Sequence, residues 1–285
     1  SGNVEEGRAL LRGYELFRQW DRRVKLLLSM VTSGTLSQTA ERERTLELVT
    51  LLLQGSALED AAALIYSALA KNPEDPAFRM AQARWLFSSG QPGKARTVVE
   101  LLLSLPNPPP DALWLSARLH ILQDRSPEAI DAFHRLLAID PDPPAAVLKE
   151  LAAAYALNGQ TDEAETYFHR ALEKDPLLAG AHAGLGSLLE STERREEAER
   201  RYRRALEINP DLLSAQQLLA ELLLRRGEAE EAVRLLRRSV AVNPADTLLR
   251  RNLARALQTL GRAEEAEAEL EKAREIEAWK SPPPK

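Results

Sequence analysis

The residues Asn158-Gly159-Gln160-Thr161-Asp162-Glu163-Ala164 combine a turn with the start of a helix, and the alanine that ends this stretch has counterparts along most of the chain. These alanines recur at spacings of 34 or 35 residues: Ala61, Ala95, Ala129, Ala164, Ala198, Ala232 and Ala266. A constant period of this length indicates a repeat architecture. We therefore use the seven alanines as anchors that define the register of every other position.

Three further positions keep this register. Twelve residues before each anchor the side chain is small: Val49, Ala83, Ala117, Ala152, Gly186, Ala220 and Ala254. Four residues after each anchor it is bulky and apolar: Ile65, Val99, Phe133, Phe168, Tyr202, Leu236 and Leu270. Twelve residues after five of the anchors there is a proline: Pro73, Pro141, Pro176, Pro210 and Pro244. Antiparallel helices approach closely only where small residues meet, and proline ends a helix, so the pattern predicts tandem helical hairpins.

Several stretches in this register resemble the consensus of the tetratricopeptide repeat (TPR) family. Besides residues 158–164, they are Ala171-Leu172-Glu173-Lys174-Asp175-Pro176, Arg226-Gly227-Glu228-Ala229-Glu230-Glu231-Ala232 and Leu260-Gly261-Arg262-Ala263-Glu264-Glu265-Ala266. The likeness covers about seven repeats, residues 42–278. It implies an all-α fold, a right-handed α-solenoid of stacked antiparallel helix pairs called the TPR superhelix. This fold hosts many functions, so the resemblance is specific for architecture and not for a partner.

The register also divides the chain. We expect an amino-terminal helical segment at 1–41, either a degenerate repeat-like pair in which Asp21 caps a second helix or one long bent helix. The first repeat is expected to place its helices near 42–54 and 58–70. The seven repeats are expected at about 42–75, 76–109, 110–144, 145–178, 179–212, 213–246 and 247–278. Residues 279–285 form a tail or the start of a linker.

The single 35-residue spacing falls between the third and fourth repeats, near Pro141-Asp142-Pro143-Pro144. Two interpretations stay open there. The extra residue is either a harmless loop adjustment, since loop insertions cost little free energy, or the sign of altered superhelical geometry with a hinge.

Composition excludes several classes of function. The net charge is −5, which does not favour nucleic acid or an anionic membrane as a partner. The chain has no cysteine, which excludes disulfides, thiolate metal sites and cysteine nucleophiles. No uncharged apolar run of about 18 residues occurs, so no direct membrane span is expected.

The source and the compartment stay open. An excess of arginine over lysine hints at a bacterial protein from a GC-rich genome. The chain opens Ser1-Gly2-Asn3 without methionine, which leaves room for a removed signal peptide or lipid anchor. Bacterial cytoplasm and periplasm or cell envelope are both compatible with this sequence.

No pattern predicts catalysis, a metal site or a cofactor, so we expect a protein that is not an enzyme. The histidines are His120, His134, His169 and His182. The second and third occupy equivalent outward-facing positions about 10 Å apart, too far to share a metal whose bonds measure about 2 Å. Gly180, Gly184 and Gly186 fall inside a helix register, so a phosphate-binding loop is not expected.

The arginine-rich stretch at 193–204 alternates with acidic residues at helical spacing. This spacing predicts pairs between residues i and i+3 or i+4 on a solvated outer face. A docking patch on the convex surface is the alternative interpretation.

The concave surface carries the predicted binding site. In TPR proteins one face of each first helix lines it, at positions 15, 11 and 8 residues before each anchor. The residues expected to bind a partner are Met80, Arg84, Phe87, Trp114, Arg118, Ile121, Lys149, Arg251 and Arg255. Aromatic residues, methionine and arginine are enriched at interfaces, so we expect the first five of these to hold an extended or helical peptide. The alternative is that helices within 4–32 fold back and bury this end of the groove.

The resemblance implies a non-catalytic scaffold or adaptor that binds a partner protein and supports the assembly of a complex. Lys149 fits one position of the clamp with which some TPR domains hold chaperone tails, but Ala153 replaces the expected asparagine, so chaperone binding is not predicted. A targeting arm of a larger enzyme is the alternative. Self-association through the amino-terminal half, as a homo-oligomer or envelope assembly factor, is a third hypothesis.

Overall fold

The computed structural model describes residues 19–33 and 37–280, with side chains up to residue 279. Every regular element in these ranges is an α-helix. The chain divides into two compact units, Ser1–Pro141 and Asp142–Lys285. Each unit is described by itself.

The first unit begins with α1, whose described part is the helical residues 19–32. The helices that follow are α2 (Gln38–Gln54), α3 (Leu58–Lys71), α4 (Pro76–Ser88), α5 (Pro92–Leu103), α6 (Pro110–Ile121) and α7 (Ser126–Ile139). From α2 to α7 each helix packs against the next one in the chain. Since the connections are short, consecutive helices form antiparallel hairpins.

The second unit has the same construction. Its helices are α8 (Ala145–Leu157), α9 (Thr161–Lys174), α10 (Ala179–Ser191), α11 (Arg195–Ile208), α12 (Leu213–Arg225), α13 (Ala229–Val242), α14 (Thr247–Thr259) and α15 (Ala263–Lys280). Here too each helix packs on its successor, and first helices also contact the next first helix, as α8 does with α10 and α10 with α12.

The ends of the helices follow from local chemistry. The five prolines of the register lie two residues beyond the last residue of α3, α7, α9, α11 and α13. Within four hairpins the turn contains a glycine in the left-handed region, for example Gly159 at φ 76° and Gly227 at φ 82°. Residues with a Cβ are disfavoured in that region, which explains the glycine that precedes the anchor by five residues.

The anchors lie in the core of each hairpin as predicted. All seven anchor alanines are at most 1% exposed, and the small residues that precede them are buried as well. The bulky residues four positions later are buried too, except Leu270, which is partly exposed in the last hairpin of the described chain. Gly186, the smallest of the crossing residues, packs directly against the ring of Tyr202. A Cβ built on Gly186 would lie only 2.6 Å from Cε1 of that ring.

A polar contact that the sequence did not reveal recurs in the second unit. Sixteen residues before an anchor, a side-chain N–H donates to the carbonyl oxygen of the proline that ends the preceding repeat. The three contacts are His182 Nε2 to Pro176 at 3.2 Å, Gln216 Nε2 to Pro210 at 2.6 Å and Arg250 Nε to Pro244 at 2.9 Å. Each of these prolines lies beyond the end of its helix, so its carbonyl oxygen has no helical partner, and the side chain supplies one.

Ion pairs also connect neighbouring hairpins. In the arginine-rich stretch, Arg194 at the N-cap of α11 and Arg203 within it form the predicted local pairs, with Glu197 and Glu199 respectively. The sequence interpretation missed that each of these arginines also reaches an adjacent hairpin, Arg194 to Glu165 at 2.9 Å and Arg203 to Glu231 at 2.8 Å. The outer surface of the second unit is therefore a network of charges rather than a set of separate helix faces.

Two expectations about the amino-terminal helices were wrong. Helix α2 begins at Gln38, four residues before the predicted start at 42, because the Ser37 side chain accepts a hydrogen bond from the Ala40 amide and caps it. Asp21 does not cap a second helix, since residues 19 and 20 are already helical, and it pairs with Lys25 at 2.8 Å instead. In the described ranges no helix is long and apolar enough to cross a membrane.

Candidate functional site

The predicted groove residues divide between the two units. Six of them lie on two first helices of the first unit: Met80, Arg84 and Phe87 on α4, and Trp114, Arg118 and Ile121 on α6. Lys149 lies on α8, and Arg251 and Arg255 lie on α14, in the second unit.

The structure brings four of the six together around one cavity. This aromatic cavity has a volume of about 230 Å³ and is lined by Arg84, Phe87, Trp114 and Arg118, with Thr50 and Leu53 of α2 on the opposite wall. Phe87 and Trp114 are both partly exposed. The cavity therefore offers two aromatic faces and two guanidinium groups at the junction of three consecutive first helices.

The guanidinium of Arg118 lies against two aromatic rings. Its guanidinium carbon lies 4.6 Å from the ring centroid of Phe87 and 5.4 Å from that of Trp114. A guanidinium within about 6 Å of a ring centroid is attracted by the negative face of the ring. The two rings thus hold a planar set of hydrogen-bond donors against the wall of the cavity.

A second cavity continues the groove. This methionine cavity has a volume of about 420 Å³, and Met80, Leu46 and Pro76 line it in addition to Thr50, Leu53 and Arg84, which it shares with the aromatic cavity. Met80 is 6% exposed, so it forms the floor of the cavity rather than a protruding contact. The volume falls within the range of about 300–1,000 Å³ that is common for ligand pockets.

An ion pair between an exposed arginine and a buried carboxylate borders the methionine cavity. Arg42 Nε and Nη2 donate to the carboxylate of Asp75 at 2.6 and 2.9 Å, and Asp75 is 5% exposed. These hydrogen bonds hold the pKa of Asp75 below its usual range. Asp75 also caps α4 through the Ala77 amide, so the pair ties the first turn of α4 to α2.

The sequence missed one residue of the site, and one predicted groove residue lies outside both cavities. Asp111, in the first turn of α6, pairs with Arg84 at 2.6 Å and lines both cavities. It lies three residues before Trp114, and this helical spacing was the signal that it shares the groove face. Ile121 is partly exposed but lines neither cavity.

The described part of α1 packs beside the groove. Leu27 is buried against Leu48 and Leu52, and Trp20 Nε1 donates to the Leu51 carbonyl at 3.0 Å. Residues 19–33 line neither the aromatic nor the methionine cavity. The rest of the proposed fold-back, residues 4–18, lies outside the described residues.

The basic pair expected in the second unit is neutralised. Arg251 pairs with Glu277 of α15 at 2.7 Å, and Arg255 pairs with Glu221 of α12 at 3.2 Å. Neither contact could be predicted from the sequence of α14 alone, because each acidic partner lies on another helix. Both arginines are thus already paired within the protein, and their predicted role in partner binding stays a prediction. Lys149, the third predicted residue of this unit, is partly buried beside Gly180.

The histidines occupy two kinds of environment. His134 and His169 are exposed on α7 and α9, as predicted for outward-facing positions. His120 is partly buried on α6, and His182 is 7% exposed on α10. In the described ranges no three histidine, aspartate or glutamate side chains gather as a metal site would require.

Comparisons with known proteins agree with this geometry. One family model described as the tetratricopeptide repeat matches residues 120–188, 155–222, 191–248 and 223–278, and a second with the same description matches residues 46–109. The chain belongs to the tetratricopeptide repeat family. TPR folds are typically non-catalytic, and these repeats support a general role as a protein-interaction scaffold.

Solved structures share this TPR fold at low sequence identity. A chain of the APC/C hetero-tetramer Cut9–Hcn1 matches with a TM-score of 0.73 and 11% identity over 89% of this TPR protein. This TPR protein spans 49% of that chain, about half its length. MamA matches with a TM-score of 0.50 and 22% identity, over 57% of this chain and 95% of its own. No curated protein sequence matches the chain.

Proposed function

We propose that this TPR protein is a non-catalytic adaptor that binds a peptide segment of a partner protein in the groove formed by α2, α4 and α6. The observation that carries the proposal is the arrangement of Arg118 between Phe87 and Trp114, next to two cavities that share a wall. Aromatic and arginine side chains in a concave, half-desolvated setting are the usual centres of binding energy at protein interfaces.

The side chains that line the groove indicate which kind of peptide it would bind. The methionine cavity is lined largely by apolar side chains, and methionine adapts to irregular ligand shapes, so it suits a large aliphatic or aromatic side chain. Arg84 donates to Asp111 through one nitrogen, and a guanidinium carries five N–H donors. We infer that the partner presents an apolar residue followed closely by a carboxylate, which Arg84 and Arg118 bind at the rim.

The experiment begins by selecting binders from a displayed library of random peptides. Affinities of the selected peptides are then measured for the wild type and for Trp114→Ala and Arg118→Ala. Trp279→Ala is the matched control, because Trp279 is 82% exposed on α15 and far from the groove in sequence. Loss of an aromatic or arginine hot spot is worth roughly 2 kcal/mol or more, so we expect Kd to rise about 30-fold in both groove variants and to stay unchanged in the control.

Circular dichroism verifies that all three variants keep their helix content. Selected peptides that bind the two groove variants and the wild type equally well would show that this groove is not the binding site. Enrichment of peptides with an apolar residue beside an acidic one would support the inferred partner chemistry.

A further inference from the structure

A further cavity, separate from the aromatic and methionine cavities, lies on the side of α6 that faces away from the groove. It has a volume of about 200 Å³ and lies between α5, α6 and α7 of the first unit. Its polar lining consists of Arg96, Glu100, Ser116, His120, Arg125 and Arg135. Ser116 and His120 lie roughly half a helical turn away from Trp114 and Arg118, so the two sites use opposite faces of the same helix.

The charges of this lining are unbalanced. Arg96, Arg125 and Arg135 contribute three positive charges, and Glu100, which lies 3.6 Å from Arg96, contributes one negative charge. In the ranges that the structure describes, no carboxylate within 4 Å pairs with Arg135, and Arg125 bonds to the neutral amide of Gln123. The charged side chains that line the cavity therefore sum to about two positive charges.

A buried polar atom lies next to this cavity. Nδ1 of His120 is buried and has no hydrogen-bond partner among the described residues. Burial, the largest cause, and the nearby arginines lower the pKa of His120, whereas Glu128 and Asp131, which do not line the cavity, raise it. A buried nitrogen without a partner is unfavourable. Other atoms of His120 line the cavity, so its imidazole resonances report on a ligand that binds there.

We propose that this cavity is a binding site for a phosphate group, either free or carried on a side chain of a partner. A phosphate monoester carries close to two negative charges at pH 7 and several strong acceptor oxygens, which matches the excess charge and the three guanidinium forks. Ser116 and neutral His120 add donors for the remaining oxygens. A monocarboxylate would leave one positive charge uncompensated. The site does not depend on the function proposed for the groove.

The test follows the imidazole resonances of the full chain by NMR at pH 7.5 and constant ionic strength. Inorganic phosphate, O-phosphoserine, serine and acetate are titrated separately, and His120→Gln identifies the His120 signal among the four histidines. We expect phosphate to shift this signal in a saturable way and serine to leave it unchanged. Binding of O-phosphoserine as well indicates that a phosphorylated side chain enters, whereas binding of phosphate alone assigns the site to the free ion.

Two arginine variants test the geometry. Arg135→Gln should weaken phosphate binding roughly tenfold or more, since a charge-assisted contact is lost. Arg238→Gln is the matched control, because Arg238 holds the same register position in the sixth repeat but pairs with Asp211. Arg125→Gln supplies a second cavity variant. The proposal is overturned by an unresponsive His120 signal, by acetate binding as tightly as phosphate, or by unchanged affinity in both cavity variants.

Discussion

Replacing Gly186 by alanine tests the helix crossing on which the repeat register depends. An added Cβ would lie 2.6 Å from Cε1 and 2.7 Å from Cδ1 of the Tyr202 ring. Tyr202 is completely buried, and its hydroxyl donates to Glu190 at 2.8 Å, so the ring has little freedom to move aside. Either the ring or the backbone of α10 must shift.

The expected magnitude is the difference between two opposing effects. Alanine in a helix interior is more favourable than glycine by up to about 1 kcal/mol. Overpacking a closely packed core costs about 1–3 kcal/mol. We therefore expect Gly186→Ala to lower the free energy of unfolding by about 1 kcal/mol, and by no more than about 2 kcal/mol, with the loss concentrated in the α10–α11 hairpin.

Urea denaturation measures the total change, and hydrogen exchange of the α10 and α11 amides measures the local one, since repeats need not unfold in a single step. Gly180→Ala is the control on the same helix, because the added Cβ there would meet only Lys149 Cδ at 3.6 Å, an ordinary contact. It should leave stability unchanged or raise it slightly.

The effect of Gly186→Ala on stability should change sign when the Tyr202 ring is removed. In a Tyr202→Leu background, Gly186→Ala recreates the pair that Ala220 and Leu236 form in the sixth repeat, and it should stabilise by up to about 1 kcal/mol. A Gly186→Ala protein that is more stable than the wild type would refute the argument. So would the same loss of stability in both backgrounds, because the ring would then not be its cause.

Two further predictions concern polar contacts of the second unit. Burial holds the pKa of His182 below its ordinary value near 6.5, so the unfolded chain binds more protons just below that pH, and stability should fall as the pH drops through 6.5. His182→Gln should reduce this pH dependence while it keeps a donor for the Pro176 carbonyl, since Gln216 makes the equivalent contact one repeat later. The urea midpoint of both proteins is measured at pH 7.5 and 5.5, and an equal change in the two would contradict this prediction. Arg203→Gln removes a partly exposed ion pair to Glu231. It should lower the free energy of unfolding by about 0.5–1 kcal/mol at low salt and by less in 1 M NaCl, as measured by urea denaturation. A loss of stability that does not depend on salt would exclude an electrostatic cause.

The sequence by itself determined the architecture of the hairpins. The anchor alanines predicted buried crossings, and the prolines predicted where second helices end, because both signals depend on contacts within one hairpin. The face of α4 and α6 that lines the groove followed from the resemblance to TPR proteins together with the register, and four of its predicted residues meet at one cavity. The register could carry this assignment from repeat to repeat because a helix places residues on its faces by number.

Only the tertiary structure decided which charges are paired and which cavities exist. Arg251 and Arg255 form a basic pair in the sequence, but acidic residues of two other helices neutralise them. Asp111 enters the groove, and Arg125 and Arg135 gather around His120, because separate helices converge there. The physical reason is distance: these partners are up to 34 residues apart in the chain, and their separation depends on how neighbouring helices pack, which the pattern of a single helix does not contain.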